Sequence, residues 1–559
     1  KSMKRIIISL LSAGVLFSSC TKDFDKINTS PNNPEEYLSY ALFANASFGF
    51  MYNLRKNKNS ASMMRSWMQY TSQTSYTKES RYIYSQSAGD NIWWQGYKRL
   101  NNLKTIIDLN RDPETKDAMS RYGDNIAQIS ASRAYMAYIF SILAETFGDI
   151  PYYSDIQQNN PNFQALQTNK YVTPVYASQK DIYLDILQTL GQVSRDLSRL
   201  DENGKVFEQG DFLFTKNGIS NIGVLKHFAN SLRLRIANHL KNVRDAQLKA
   251  AALEVVNYYA AGHDNELLQP GENIEFPYED SYDYCAPIYN DYFLDARLDY
   301  APSNCFVKLL AGNNKKANDA GLNFGVDPRI EKFFAPKGLT KNDALSGTYS
   351  EAEDGQAIDT TRYAGMPYGM AEGTTQNQFD GGRLISLFAS SLLKSTATDP
   401  LMEYSEVCFI LSEIRGWNQA KYIEGVQASM DKWGVSAARA TAYINNLPAA
   451  SQASVLTQKY ISLYMNSNEA WTEYRRTGYP KTLIKVGDSV RLNIPEGGQT
   501  SYVFTSLEST INQVPDRLNY PLGYTGLNVD NYKQALINMG MGEGNDLRTH
   551  RLIFAENRP

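Results

Sequence analysis

The sequence predicts a mainly α-helical fold, interrupted by one loop-rich excursion and carrying a few short β-hairpins, on three observations. Apolar residues recur at three- and four-residue steps along most of the chain, as one face of a helix requires. Between about Leu267 and Thr396 that period lapses, and Gly, Asp, Asn and Tyr cluster around islands such as Phe306 to Leu310. From Lys481 to Gln513, Val486, Val490, Leu492, Ile494 and Tyr502-Val503-Phe504 suggest a short hairpin or two.

In chain order, Lys4 and Arg5 precede an apolar run from Ile6 to Phe17 and then Ser18-Ser19-Cys20, which reads as a secretory signal peptide over residues 1–19. At about a dozen residues the run falls short of the roughly 20 that span a bilayer as a helix. Cysteine after small residues resembles the lipobox of bacterial lipoproteins, with Phe17 where Leu is commoner, and implies acylation at Cys20. Residues 20–36 are then a lipid-anchored tether punctuated by Pro31, Asn32, Asn33 and Pro34. Residues 37–559 are expected to form one domain with its excursion at about 267–396.

Helical patterns follow at about Tyr37 to Tyr52, Asn91 to Leu109, Asn125 to Phe147, Ser178 to Leu197, Ile222 to Leu240, Leu248 to Ala260, Met402 to Gly416, Ala420 to Trp433 and Ala453 to Met465. In the third, Ile126, Ile129, Met136, Phe140, Leu143 and Phe147 keep helical steps, and Gly148 then Pro151 stop it. In the fourth, Ser178 and Asp181 stand at capping-box spacing.

Net charge of −3 and a pI near 6.0 provide no basic field for a polyphosphate backbone, which speaks against nucleic acid as partner. Beyond Cys20 only Cys285, Cys305 and Cys408 remain, too few for a disulfide framework; Cys285 and Cys305 either form one staple or stay free. The 38 tyrosines suit wet binding surfaces and equally suit packing between helices, and most are expected to pack.

Several segments occur in the order of one family. They are Arg133-Ala134-Tyr135 with Phe147-Gly148-Asp149-Ile150-Pro151, then Phe228 to Ala237, Asp327-Pro328-Arg329, and Glu403-Tyr404-Ser405-Glu406-Val407 running to Glu413. Glu469-Ala470-Trp471 with Arg475 to Pro480, and Arg517-Leu518-Asn519-Tyr520-Pro521, complete the set. Together they resemble the signatures of SusD/RagB nutrient-binding outer-membrane lipoproteins, in the SusD-like subgroup, from about Asp25 to Ala535. Lys22-Asp23-Phe24-Asp25 also resembles the acidic stretch that marks lipoproteins of Bacteroidetes for display on the outer face. The resemblance implies a tetratricopeptide-like frame of helix pairs whose loop-rich insertions form the ligand face. It also implies a protein at the cell outer membrane, without enzymatic activity or cofactor, that passes oligomeric nutrient to a SusC-like TonB-dependent barrel. The nutrient is expected to be a glycan; the alternative is an oligopeptide, since RagB-type relatives serve peptides. The tail departs from the pattern, with Arg551-Leu552-Ile553-Phe554 where many members carry tryptophans.

The signatures have physical readings as frame. Gly148 allows a left-handed cap, and Asp149 is placed to accept N–H groups in the turn. Glu473 and Arg476 share one helical turn, and Arg475 offers a donor fork to carbonyls at a neighbouring helix end.

Little in the sequence supports catalysis. His227, His239, His263 and His550 are isolated, and no zinc helix, Gly-x-Ser-x-Gly elbow or Walker A loop is present. His227 and His239, 12 residues apart in one helix, cannot share a metal, and no metal is expected. Glu406 and Glu413 could serve a glycosidase, the alternative from another class. Their backbones lie about 10 Å apart along a helix, wide for a retaining pair, and their apolar neighbours suggest partners for Arg between packed helices.

Sugar binding needs a ring against the C–H face of a pyranose and a rim of amides, carboxylates and Arg. Tyr278, Tyr282, Tyr284, Tyr289 and Tyr292 fall close together, interleaved with Glu279, Asp280, Asp283, Asn290 and Asp291 and followed by Arg297. They are the first candidates. Trp93-Trp94 and the stretch Tyr76 to Tyr84 form the second, with one of the two tryptophans expected to pack the adjacent helix.

Overall fold

A computed structural model describes residues 38–56 and 62–559; the expected signal peptide, Cys20 and the expected tether lie outside the described residues. The frame starts with α1 (Ser39–Arg55), α2 (Gln86–Arg111), α3 (Asn125–Phe147), α4 (Gln179–Leu197), α5 (Ile222–Leu240) and α6 (Ala246–Ala260). Each packs on the next in order, the succession of a tetratricopeptide-like frame. A second group, α7 (Tyr404–Ile414), α8 (Gln419–Lys432), α9 (Gln452–Ser462) and α10 (Ser467–Thr477), returns to it, with α7 touching both α5 and α6.

Helix α3 is buried on nearly every side because α2, α4 and α5 all cover it. Asp124 caps its start, accepting from the N–H groups of Ile126 and Ala127. At its other end Gly148 has φ +100° and ψ −128°, outside the left-handed helical cap that the sequence suggested. A side chain there would put Cβ 2.4 Å from Met539 Sδ, so both the backbone angle and the close contact call for glycine. Asp149 also departs from expectation: it accepts the backbone N–H of Gln179 at 2.9 Å, tying the end of α3 to the start of α4 rather than closing its own turn. Of the expected capping box only Ser178 acts, accepting from the N–H of Asp181.

The last carbonyls of α3 are satisfied by two arginines from distant parts of the chain. Arg475 donates to Glu145 O at 2.5 Å and to Asp516 O at 3.0 Å. Arg517 donates twice to Phe147 O, at 3.0 and 2.8 Å. The Arg475 guanidinium lies between Trp471, 3.5 Å from its ring centroid, and Phe554, 4.9 Å away. The divergent tail therefore docks on the frame through Phe554.

The excursion leaves and returns on one antiparallel pair. Strands β1 (Thr71–Gln73), β2 (Thr215–Lys216), β3 (Ile219–Ser220), β4 (Ile274–Pro277), β5 (Tyr300–Pro302) and β6 (Thr398–Met402) precede the hairpin β7 (Ser489–Glu496) and β8 (Gln499–Val503). β4 pairs with β6 and closes the base; β5 pairs with β1, stitching the excursion to the segment after α1. Inside it are short helices such as Asn304–Leu310, Lys315–Asp319 and Lys341–Ser346, too brief to show a period in the sequence. Arg329 is fully buried, donating to Asp327 at 3.0 and 2.6 Å, to Ser429 Oγ and to Gln458 Oε1. Cys285, Cys305 and Cys408 are buried free thiols, so the staple is not formed.

Candidate ligand-binding clefts

The pairing of β1 with β5 brings two loops face to face, residues 75–85 and 291–299. Between them lies a polar cleft of about 510 Å³ lined by Gln73, Ser75, Tyr76, Glu79, Ser85, Asp291, Asp295, Arg297, Asp299 and Tyr300. Thr74 N donates to Asp299 O at 2.8 Å, tying the two segments together, and Arg297 N donates to Asp291 O at 2.8 Å, closing the second loop on itself. The Arg297 guanidinium stands 5.2 Å from the Tyr76 ring centroid and donates to Asp299 at 2.6 Å. Tyr76 is 57% exposed.

Two residues of these loops, Tyr76 (φ +52°) and Ala296 (φ +51°), adopt the left-handed region without being glycine. Such backbone costs about 1–2 kcal/mol per residue and persists where the surroundings over-determine it, typically at ligand sites. It turns the Tyr76 ring out and sets Arg297 opposite it. The carboxylates of the cleft are each held by a neighbour: Glu79 by Gln73 Nε2 (2.8 Å), Asp291 by the Tyr300 hydroxyl (2.9 Å), Asp299 by Arg297 and Asp295 by Lys56 (3.6 Å). They form a rim of fixed acceptors suited to hydroxyl or amide donors.

A second, more aromatic cleft of about 580 Å³ runs along α1, lined by Tyr40, Phe48, Phe212, Phe276, Tyr278 and Tyr284 among others. Tyr284 is 52% exposed, its ring 5.0 Å from that of Phe48. Lys56, just beyond α1, reaches Asn290 (2.6 Å) and Asp295 of the polar cleft.

The structure divides the residues picked out from the sequence. Arg297 lines the polar cleft, and Tyr278 and Tyr284 line the aromatic one. Tyr278 is nonetheless buried, donating to Asp399 at 2.8 Å. Tyr292 is wholly buried, its hydroxyl bound to Tyr300 O at 2.5 Å, so it holds the loop and presents no face to a ligand. Tyr289 packs at a tilt against Phe293, and Tyr282, the most exposed of the five, lines neither cleft. Trp93 is buried against Phe147, Tyr97 and Tyr520, and Trp94 lies half-exposed over Tyr524, so the second patch contributes Tyr76 and Glu79 instead of its tryptophans.

The histidine that sequence spacing isolates, His239, meets three carboxylates from two helices, α3 and α10. Its Nδ1 lies 2.9 Å from Glu145, and its Nε2 lies 2.9 Å from Glu469 and 3.2 Å from Glu473. Burial alone would lower its pKa, but Glu469 and the hydrogen bonds to Glu145, Glu469 and Glu473 raise it well above the usual value. Among the described residues Glu145, His239 and Glu469 are the one group whose ligating atoms converge enough to hold a metal. Both imidazole nitrogens are engaged by carboxylates, and Lys459 and Arg235 lie beside them, so the group is a charge-balanced ion network. Glu406 pairs with Arg235 and Glu413 with Arg476 and Lys241, the arginine partnership that their apolar surroundings suggested.

No curated protein sequence matches this chain. Among solved structures, a chitin-binding SusD homolog from Flavobacterium johnsoniae is 21% identical with a TM-score of 0.64, covering 93% of this chain and 98% of that one. A SusD homolog from Parabacteroides distasonis is 18% identical with a TM-score of 0.68, covering 93% and 99%. A structure described as a chitin-binding protein is 21% identical with a TM-score of 0.67, covering 93% and 100%. These likenesses show the fold. Residues 31–495 match a family model described as SusD-like, starch-binding and associating with the outer membrane, and residues 450–552 match one described as SusD and RagB outer membrane lipoprotein. On those matches, in the order its signatures set, the chain belongs to the SusD/RagB family.

Proposed function

We propose that this protein captures an oligomeric nutrient, a glycan, in the polar cleft at the cell surface and delivers it without chemistry to a SusC-like TonB-dependent barrel. The observation that carries the reading is the exposed Tyr76 ring, held out on left-handed backbone opposite Arg297 and above fixed carboxylate acceptors. A pyranose can lay its C–H face on that ring and donate its hydroxyls to the rim. The two chitin-binding relatives and the starch-binding family description support a sugar ligand. An oligopeptide is the second reading, favoured by the Glu79, Asp291, Asp295 and Asp299 rim, which also accepts from backbone N–H groups. The protein is lipid-anchored to the outer membrane through Cys20, facing the exterior, with residues 37–559 as one domain. In support, no helix among the described residues is long and apolar enough to cross a membrane.

Calorimetric titration of the purified protein against glycan and peptide panels, with product analysis of the same samples, tests the site. One-to-one glycan binding with the oligomer recovered intact is the expected result. Release of shorter sugars would instead establish a glycoside-active enzyme. Cys20→Ala should release the protein from the membrane fraction of cells lacking the barrel, and retention there would overturn the anchor.

A further inference from the structure

A third cavity, of about 310 Å³, opens between the helices Asn304–Leu310 and Lys315–Asp319 and the start of β7. Four cations line it, Lys308, Lys315, Lys316 and Arg491, against one lining carboxylate, Asp488. Lys316 is spent on Asp488 and on Leu483 O, and Lys315 on Asp319. Lys308 and Arg491 make no ion pair and no side-chain hydrogen bond among the described residues. The Lys308 ammonium is held below its usual pKa, mainly by burial, with the charge of Arg491 acting in the same direction against a smaller opposing effect of Cys305.

A second, independent feature lies on the same wall. Thr482 is 2% exposed and its hydroxyl has no partner; Asn304, 5% exposed, has an unpartnered amide oxygen. Buried side-chain polar atoms are in large majority satisfied. A hydroxyl can turn its proton inward, and an amide can be flipped to present its NH₂. Two unpaired cations and two residues with unsatisfied polar atoms therefore line one small cavity.

We propose that this cavity is an anion-binding site for a tetrahedral oxyanion, sulfate or phosphate, carried on the nutrient or taken as the free ion. Guanidinium, ammonium and hydroxyl groups are the donors that such an oxyanion accepts. The polar cleft cannot take this group, because Glu79, Asp291, Asp295 and Asp299 line it against Arg297 alone. The inference uses none of the residues of that cleft and stands whether the nutrient is a glycan or a peptide.

The test is equilibrium dialysis of the full chain with radiolabelled sulfate at low ionic strength, repeated with phosphate. One saturable ion per chain is expected, weakened about tenfold or more by Arg491→Gln and by Lys308→Gln. Arg491 is exposed on the hairpin, so that variant keeps the fold, and thermal melting checks the other. Thr482→Val should weaken binding less than either. Competition by a sulfated oligosaccharide, far tighter than by the ion and absent for its desulfated form, assigns the group to the nutrient; competition by free ions alone assigns it to an inorganic ion. No saturable binding of sulfate or phosphate, or binding unchanged in both Arg491→Gln and Lys308→Gln, overturns the proposal.

Discussion

Two arginines over aromatic rings, one in the frame and one in the polar cleft, carry the same chemistry to opposite ends. Arg475 is fully buried over Trp471, and its donors end on carbonyls of Glu145 and Asp516. Arg297 stands in solvent over Tyr76, with one bond to Asp299. Burial leaves the first no freedom to meet a ligand, whereas exposure leaves the second little to contribute to stability. The contrast separates a residue that holds the fold from one left free to meet a ligand.

The largest expected effect breaks the frame side. Arg475→Ala strands two buried carbonyls and empties the space between Trp471 and Phe554. A loss of about 3–5 kcal/mol of stability is expected, the scale for removing one member of a buried charged network. Melting should fall by many degrees, while ligand affinity measured on the folded fraction stays within about twofold. Affinity falling more than stability would make the Arg475 motif a ligand site.

The ion network provides the next effect, through pH. Burial would raise Glu469 and Glu413, but Arg235 and His239 hold Glu469, and Arg476 and Lys241 hold Glu413, well below the ordinary carboxylate value of 4.5. Groups with depressed folded pKa contribute stability that is present above their unfolded value and is lost as pH falls through the folded one. His239 has the opposite sign: its contribution is complete below 6.5 and fades only at pH well above it. Wild-type stability should therefore drop steeply below about pH 4.5. Glu413→Gln, followed by urea melts from pH 7 to pH 2, should start less stable and lose less on acidification; an equal acid slope would remove Glu413 from the cause.

The two regions differ in legibility for a physical reason. Helices α1 to α9 show in the sequence because packing repeats every three or four residues, and Arg475 because it stands in a recognisable motif, although the helix end that it serves lies far away in the chain. The polar cleft depends on β1 meeting β5 and on left-handed backbone at Tyr76 and Ala296, which no local period encodes. Tyr76 and Arg297 thus fell into two separate patches in the sequence, while Tyr292, in the middle of the ring cluster, proved to be core. Asp149 and Gly148 were legible as a turn; their partners Gln179 and Met539 are distant in the chain and were not.

Among the rings, Tyr76→Ala should weaken ligand binding about 5- to 150-fold, taking the roughly 1–3 kcal/mol of a base stacked on an aromatic ring as the scale for a sugar. Its melting temperature should stay close to that of wild type. Tyr292→Ala should do the reverse, lowering stability by about 3–5 kcal/mol as other large buried rings do. Equal affinity in wild type and Tyr76→Ala would move the ligand out of the polar cleft.

The smallest expected effect sharpens the relation between the two clefts. Tyr284 is half-exposed at the rim of the aromatic cleft, supported on one side by Phe48 alone, so its removal forfeits an aromatic pair of about 0.5–1.5 kcal/mol. Lys56 links the end of α1, the helix along the aromatic cleft, to Asp295 of the polar cleft, and one oligomer is expected to cross from one cleft to the other. An oligomer long enough to cross should lose about 2- to 10-fold in affinity in Tyr284→Ala, while a disaccharide confined beside Tyr76 should lose nothing. In the double variant with Tyr76→Ala the two losses should add for the long ligand, since the rings touch different parts of it. A loss in Tyr284→Ala that is the same for short and long ligands would place Tyr284 in loop support, and the aromatic cleft outside the binding path.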